Sequence, residues 1–261
     1  MPSTMVIFAH PDDEVIALGG RLERFGGAHF VHVTDGAPRN GEDCRAHGFG
    51  SLEEYRRARE AEFAAALEGA GIGAASRECL GIADQEASLN LGRLTEQIGE
   101  RLRRLRPEVV FTHPYEGGHP DHDATAFAVQ AAVRMSKARG EKAPVIVEAP
   151  FYHAGPRGMR TGEFLPGRER THEIAYSLGG EEQQRKRKLL ACFGTQGATL
   201  AAFGVEWERF RVAPGYDFRQ RPHAGATLYD GFPWGMNSER FCELAAEAEE
   251  AMQQDEELVP A

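Results

Sequence analysis

Along the first 150 residues, short apolar runs alternate with longer segments whose apolar positions recur every three or four residues. Residues 5–9, 29–34, 77–81, 108–112 and 145–149 read as strands, the last entered through Pro144. Residues 13–25 read as a helix through Val15, Ile16, Leu18 and Leu22, and residues 51–70 through Leu52, Tyr55, Phe63 and Leu67. Residues 89–105 carry Leu91, Leu94, Ile98 and Leu102 on one face, and Pro107, which cannot continue a helix, closes the segment. Residues 122–138 form an Ala-rich helical stretch. Strand and helix alternating in this way predict right-handed βαβ units. The fold class that follows is α/β: a Rossmann-like, mostly parallel sheet flanked by helices. Val109-Val110-Phe111 and Val145-Ile146-Val147 are continuously apolar, as strands covered on both faces are.

Beyond residue 150 the pattern loosens. Residues 153–171 are rich in Gly, Pro and Arg and read as a long loop or lid. Arg157, Arg160, Arg168 and Arg170 in it are either a solvated face or contacts for an anionic group. Residues 171–178 allow one more strand, residues 181–193 form a charged helix, and residues 204–237 mix aromatics, Pro and Gly without a period. Residues 241–252 read as a closing helix with Ser238 as its cap, followed by a frayed acidic tail. The chain therefore reads as one α/β domain over 1–261, with a Rossmann-like core at 1–152. Residues 153–261 form a less regular C-terminal lobe of lid, extra strands and a last helix.

Composition narrows the function classes. The 261 residues, 41% hydrophobic and 27% charged, are ordinary globular values and enough for a sizeable core. A net charge of -10 argues against a nucleic-acid partner, which needs a basic patch. Cys44, Cys79, Cys192 and Cys242 form no C-x-x-C pair, which fits a reducing, cytoplasmic setting rather than a disulfide framework. The segment Met-Pro-Ser-Thr-Met-Val-Ile-Phe-Ala-His turns polar too soon for a signal peptide, and no run approaches a membrane span. Self-association as a homo-oligomer is left open.

The candidate chemistry sits at two strand ends. His10-Pro11-Asp12-Asp13-Glu14 follows the first strand, and His119-Pro120-Asp121-His122 follows the fourth. In the strand order 3-2-1-4-5, strands one and four are neighbours at the point where the order reverses, which is where open α/β sheets bind ligands. His10 and Asp13 stand three apart at a helix start, and His122 completes a His-Asp-His set that leaves a coordination position for water. Zinc fits that set, and iron(II) is accepted by the same donors. Asp12 is left beside the metal as a general base. His119 is placed to stabilise an oxyanion as imidazolium, with Asp121 orienting it and keeping it protonated. Glu14 is either a further supporting carboxylate or a first-turn helix acid. Asp12, Asp13 and Glu14 taken alone would be an ordinary acidic helix start; the histidines at two adjacent strand ends make that reading insufficient. The turn after the first strand lacks G-x-G-x-x-G, which disfavours a nucleotide-cofactor oxidoreductase.

With those residues in view, the chain resembles the LmbE-like, or PIG-L, N-acetylglucosaminyl deacetylases, whose two signatures look like Ala9-His10-Pro11-Asp12-Asp13-Glu14 and His119-Pro120-Asp121-His122. The resemblance covers roughly the first 150 residues. It implies a zinc-dependent hydrolysis of an N-acyl group, most often acetyl, from a small-molecule amino sugar or glucosamine conjugate. It assigns His10, Asp13 and His122 to the metal, Asp12 to the base and His119 to electrostatic catalysis, with Asp121 behind it. Weaker correspondences place Arg57, in Arg57-x-x-Glu60, and Asp84, after the third strand, against the substrate. Arg57 and Glu60 also read as an ordinary helix pair. Thr34-Asp35-Gly36 would lie on the rim, or form a plain turn. Some thiol-pathway members carry Tyr two residues before His119, where this chain has Gly117; Tyr115 is then the candidate to reach the substrate. The competing functions are an amidase of the same family acting on a non-sugar or thiol conjugate, and a non-catalytic carbohydrate-binding protein.

Overall fold

The computed structural model describes residues 2–166 and 172–258. Five parallel strands, β1 (Thr4–Phe8), β2 (His29–Thr34), β3 (Arg77–Ile82), β4 (Val109–Thr112) and β5 (Val145–Glu148), pair in the order β3-β2-β1-β4-β5, as the alternating pattern predicts. A short hairpin follows, β6 (Tyr152–Gly155) with β7 (Gly158–Thr161). Strands β8 (Glu173–Ser177) and β9 (Trp207–Val212) then extend the main sheet antiparallel beyond β5. The helices are α1 (Asp13–Leu18), α2 (Glu42–Ala46), α3 (Leu52–Gly69), α4 (Leu91–Leu105), α5 (Pro120–Ala138), α6 (Gly180–Leu190), α7 (Gly197–Leu200) and α8 (Ser238–Leu258).

The period of two along β1 divides the core between two faces. Met5 and Ile7 join Val31, Val33, Leu94, Ile98 and Phe127 on the side covered by α4, α5 and α8. Val6 and Phe8 join Val15, Phe30, Phe63 and Leu189 on the side covered by α1, α3 and α6. Alternate residues of one strand thus seed two cores, which is why β1 is apolar from Met5 to Phe8.

Several elements differ from the sequence reading, each for a local reason. The first helix ends at Leu18, before the poor helix formers Gly19 and Gly20, and a 3-10 turn, Leu22–Phe25, continues the segment; a Cβ on Gly20 would lie 2.4 Å from Leu178, so a side chain has no room there. The stretch taken as a lid contains the β6–β7 hairpin, and the aperiodic stretch 204–237 contains β9. In β9 only two of six residues are buried, so no alternation stands out. The cap of α8 is Asn237, whose side chain accepts the Arg240 N–H at 2.9 Å; Ser238 instead donates its hydroxyl to Asp230. The expectation for Arg168 and Arg170 lies outside the described residues. Among the described residues, no helix is long and apolar enough to cross a membrane.

Candidate metal centre

The two motifs meet at the carboxyl ends of β1 and β4, the adjacent strands where the order reverses. His10 and Asp13 come from the turn entering α1, and His122 comes from the first turn of α5. His10 Nδ1 lies 3.2 Å from His122 Nε2 and 3.5 Å from Asp13 Oδ2, and His122 Nε2 lies 3.5 Å from Asp13 Oδ1. Four-coordinate zinc, with bonds of about 2.0–2.2 Å, holds neighbouring ligand atoms roughly 3.3–3.6 Å apart. The two imidazole nitrogens and the Asp13 carboxylate, which offers a different oxygen to each ring, therefore lie at separations a tetrahedral site can use.

The charges around this donor set suit a cation. Burial lowers the His10 pKa, but Asp84, Asp121 and Asp13 outweigh it and hold the imidazole well above its ordinary value. Burial, with His113 close by, pushes His122 down to about 3, so this ring is a neutral ligand. Burial alone would raise Asp13, yet His122, His113 and His10 keep its carboxyl well below the usual range. A second group, His10 with Asp84, His119 and Asp121, also brings ligand atoms within 4.8 Å of one another. It shares His10 with the first set, and Asp121 in it is already committed, accepting the Gln85 N–H at 2.6 Å and the Ala87 N–H at 3.0 Å. The donor set His10, Asp13 and His122 fits a divalent cation better.

Asp12 sits beside this set without joining it. Its backbone is held at φ 126°, ψ -27°, a region that L side chains rarely adopt. The carbonyl of Asp12 accepts the N–H groups of Val15 and Ile16, and its own N–H donates to Glu14 Oε2 at 3.2 Å. Glu14 is fully buried and also meets His32 Nε2 at 3.0 Å, so it braces the turn rather than merely opposing a helix dipole. Arg59 fixes the Asp12 carboxylate, donating from Nη2 to Oδ2 at 3.0 Å and to the Pro11 carbonyl at 2.6 Å. Burial pushes the Asp12 pKa up to about 7, Arg59 pulls against that, and Asp13 adds to it.

His119 and Asp121 lie in the site, but not in the expected relation. The Asp121 carboxylate approaches His10 Nε2 at 3.3 Å, while the Asp121 backbone N–H donates to His119 Nδ1 at 3.1 Å. A ring nitrogen that accepts an N–H carries no proton, so His119 is a neutral imidazole protonated on Nε2. Burial and nearby His10 push its pKa down to about 3, against Asp121 and Asp84. The imidazolium expected from the sequence is thereby corrected to a neutral donor.

Of the expected substrate contacts, Asp84 is placed at the site: it lines the cavity, its Oδ1 3.3 Å from His10 Nε2. Burial would raise its carboxyl, but His10, His119 and Arg59 hold it down to about 2. Arg57 is not placed there. Its side chain is 67% exposed and its Nε donates to the Glu53 carbonyl of its own helix. Two residues along a helix turn the side chain by roughly 200°, so Arg59 points inward where Arg57 points out. Arg59 falls four residues from both Tyr55 and Phe63 on the buried face of α3, a spacing legible in the sequence. Tyr115 is also displaced: its hydroxyl donates to the Gln220 carbonyl, and its ring packs on Phe218 and Phe241 in the C-terminal lobe. Gly117, at φ +71°, leaves no room for the Tyr found there in other chains, since a Cβ would lie 2.7 Å from Thr227. Arg157 and Arg160 are exposed, and Arg160 is paired with Glu163. Asp35 binds Arg56 rather than facing the main cavity.

Sequence reasoning missed three contributors. His113 directly follows β4, accepts the Ala9 N–H at 2.9 Å and stacks on His122 with centroids 3.9 Å apart. Its position directly after Val-Val-Phe-Thr was the available signal. Tyr152 in β6 and Trp234 in the C-terminal lobe both line the cavity, which measures about 400 Å³.

The sequence signature of the family PIG-L: GlcNAc-PI de-N-acetylase matches residues 5–133. A 1D-myo-inositol 2-acetamido-2-deoxy-alpha-D-glucopyranoside deacetylase of Saccharomonospora viridis is 33% identical over 202 residues, 69% of this chain and 72% of that protein. A probable N-acetyl-alpha-D-glucosaminyl L-malate deacetylase 2 of Bacillus cereus is 31% identical over 147 residues, 54% of this chain and 64% of that protein. Three further relatives of the inositol type are matched over about half their length. The crystal structure of the antimicrobial reagent A40926 pseudoaglycone deacetylase Dbv21 shares the fold, with a TM-score of 0.60 at 20% identity over 81% of this chain and 96% of that one. The chain belongs to the PIG-L family.

Proposed function

We propose that this chain hydrolyses the N-acyl amide, chiefly N-acetyl, of an amino sugar or glucosamine conjugate. A divalent cation, zinc first and iron(II) second, is held by His10, Asp13 and His122. The observation that carries this reading is the convergence of three donors at tetrahedral spacing beside an unligated, strained and arginine-anchored Asp12. The relatives whose printed names are sugar deacetylases support it. A protein that only bound carbohydrate would have no use for a base held in a strained turn.

The cation, when bound, supplies Lewis-acid polarisation of water and of the acyl carbonyl. Asp12 takes the proton of the attacking water; a carboxylate lifted towards 7 is matched to base catalysis near neutral pH. His119 donates a hydrogen bond from its Nε2–H to the carbonyl oxygen as negative charge collects there, keeping its proton throughout. The Asp121 backbone N–H fixes the tautomer that makes this possible. Asp12, now protonated, returns its proton to the leaving amine.

The test is acetate release from N-acetylated amino sugars by metal-defined protein. Asp12→Asn should retain the metal and lose about 100-fold or more in turnover. His122→Ala should lose metal and activity together. No acetate from any substrate, or full metal occupancy in His122→Ala by elemental analysis, refutes the reading.

A further inference from the structure

We infer that Tyr152 is a further substrate-contacting residue, its hydroxyl donating to the bound amino sugar beside the metal centre, and that Glu116 is the positioning residue that sets it there. This inference rests on the deacetylase reading and deepens it. Tyr152 lies outside the span matched by the family signature.

The backbone around Tyr152 is held by a side chain rather than by the sheet. β5 stays paired with β4 up to Thr112 and Glu148, and the Ala149 N–H still reaches the Thr112 carbonyl at 3.3 Å. Beyond that point β4 has ended, and the N–H groups of Phe151 and Tyr152 donate instead to one oxygen of Glu116, Oε1, at 2.9 and 3.0 Å. Glu116 is itself buried, and its own N–H and that of Gly117 donate to Asp123 Oδ1 at 3.2 and 3.1 Å. Asp123 directly follows the candidate ligand His122 on α5. A continuous set of hydrogen bonds thus runs from the helix that carries His122 to the strand that carries Tyr152. The segment is confined from the other side too, since a Cβ on Gly118 would collide with the Tyr152 carbonyl.

The ring is held where its hydroxyl can meet a substrate. Its centroid lies 5.3 Å from that of His122, with 61° between planes, and 6.0 Å from that of Phe203, with 66°. Tyr152 lines the same cavity as His10, Asp12, Asp13 and His119, and among the described residues nothing hydrogen-bonds its hydroxyl. A phenol is a donor at neutral pH, and an oxygen of an incoming substrate supplies the partner that the protein does not. Glu116 does not line the cavity, so it acts only through the backbone it holds. Burial holds its carboxyl well above the usual range, against the Phe151 and Tyr152 N–H groups and with Asp123 and Glu148 adding to the rise. A neutral acid accepting two N–H groups is what a glutamine carbonyl can imitate.

The experiment is a double-mutant cycle on the zinc-loaded enzyme with N-acetylglucosamine, zinc content and thermal midpoint being recorded for each protein. Y152F, which removes only the hydroxyl, should lower kcat/KM about five- to tenfold, the scale of one uncharged hydrogen bond. E116A should lower it at least as much, and E116Q should restore most of the loss. E116A/Y152F should be no slower than E116A, because a hydroxyl already displaced has nothing left to lose. A brace with a purely structural role would give losses that multiply. Y152F at the wild-type rate, losses that multiply, or E116Q as slow as E116A overturns the inference. If E116A does not fold, E116D, whose carboxyl falls one methylene short of the two N–H groups, takes its place in the cycle. If the wild type releases no acetate, the deacetylase reading fails separately, and calorimetric binding of N-acetylglucosamine decides. Weaker binding in Y152F and E116A with the same non-additivity then supports the contact; equal binding in all four proteins, or none in the wild type, overturns it.

Discussion

Replacing Arg59 with Met separates the base from the metal. Arg59 is the guanidinium paired with the Asp12 carboxylate, at 3.0 Å in a buried setting, and it lowers a pKa that burial and Asp13 raise to about 7. Losing a guanidinium at this distance raises a carboxyl by roughly 1–2 units. The sign follows: the carboxylate form becomes scarcer at a given pH, so the acid limb of the rate profile moves to higher pH. At pH values below both limbs, where the rate follows the carboxylate fraction, this removes about 10- to 100-fold of the active form, and the deficit narrows as the pH rises. A bound cation lowers Asp12 in both proteins, so the difference between the two profiles is the quantity read. The assay is kcat/KM against pH with metal content verified in each protein. Arg59→Lys, which keeps the charge but not the fork that joins Asp12 to Pro11, should shift the limb less. A limb that stays in place while the rate drops evenly at every pH would refute the role given to Arg59.

His119→Ala should lower kcat by about 100- to 1,000-fold with little change in KM, the pattern of a lost oxyanion donor; a loss in KM alone would make it a ground-state contact. Lys186 is buried against Glu208, with Nζ donating to the Ile16 carbonyl at 2.7 Å and to Glu208 at 3.3 Å. Lys186→Ala should cost about 3–5 kcal/mol in denaturant titration by stranding Glu208, and adding Glu208→Gln should recover part of it.

The parallel core was legible because β1, β4 and β5 hold continuous apolar runs and the helices between strands carry their own 3.6-residue period. The meeting of His10 with His122 followed from that topology, since order 3-2-1-4-5 makes β1 and β4 neighbours. Arg57 is the arginine that the Arg-x-x-Glu spacing singles out, whereas Arg59 is marked only by the helical face that Tyr55 and Phe63 define. Tyr152 and Trp234 were not legible: they reach the cavity from the hairpin and the lobe, where no periodicity predicts the path of the chain. The neutrality of His119 was hidden for a different reason. It depends on a backbone N–H, and a sequence of side chains does not reveal where main-chain donors point.

The turn at Asp12 carries an evolutionary consequence. A backbone at φ 126° with a side chain attached costs on the order of 1–3 kcal/mol, which glycine would largely avoid. Chemistry at this position is therefore maintained against the chain's own folding free energy. Relief through Asp12→Gly would strand the buried Arg59 guanidinium, so a copy released from catalysis gains stability by that route only if Arg59 changes with it.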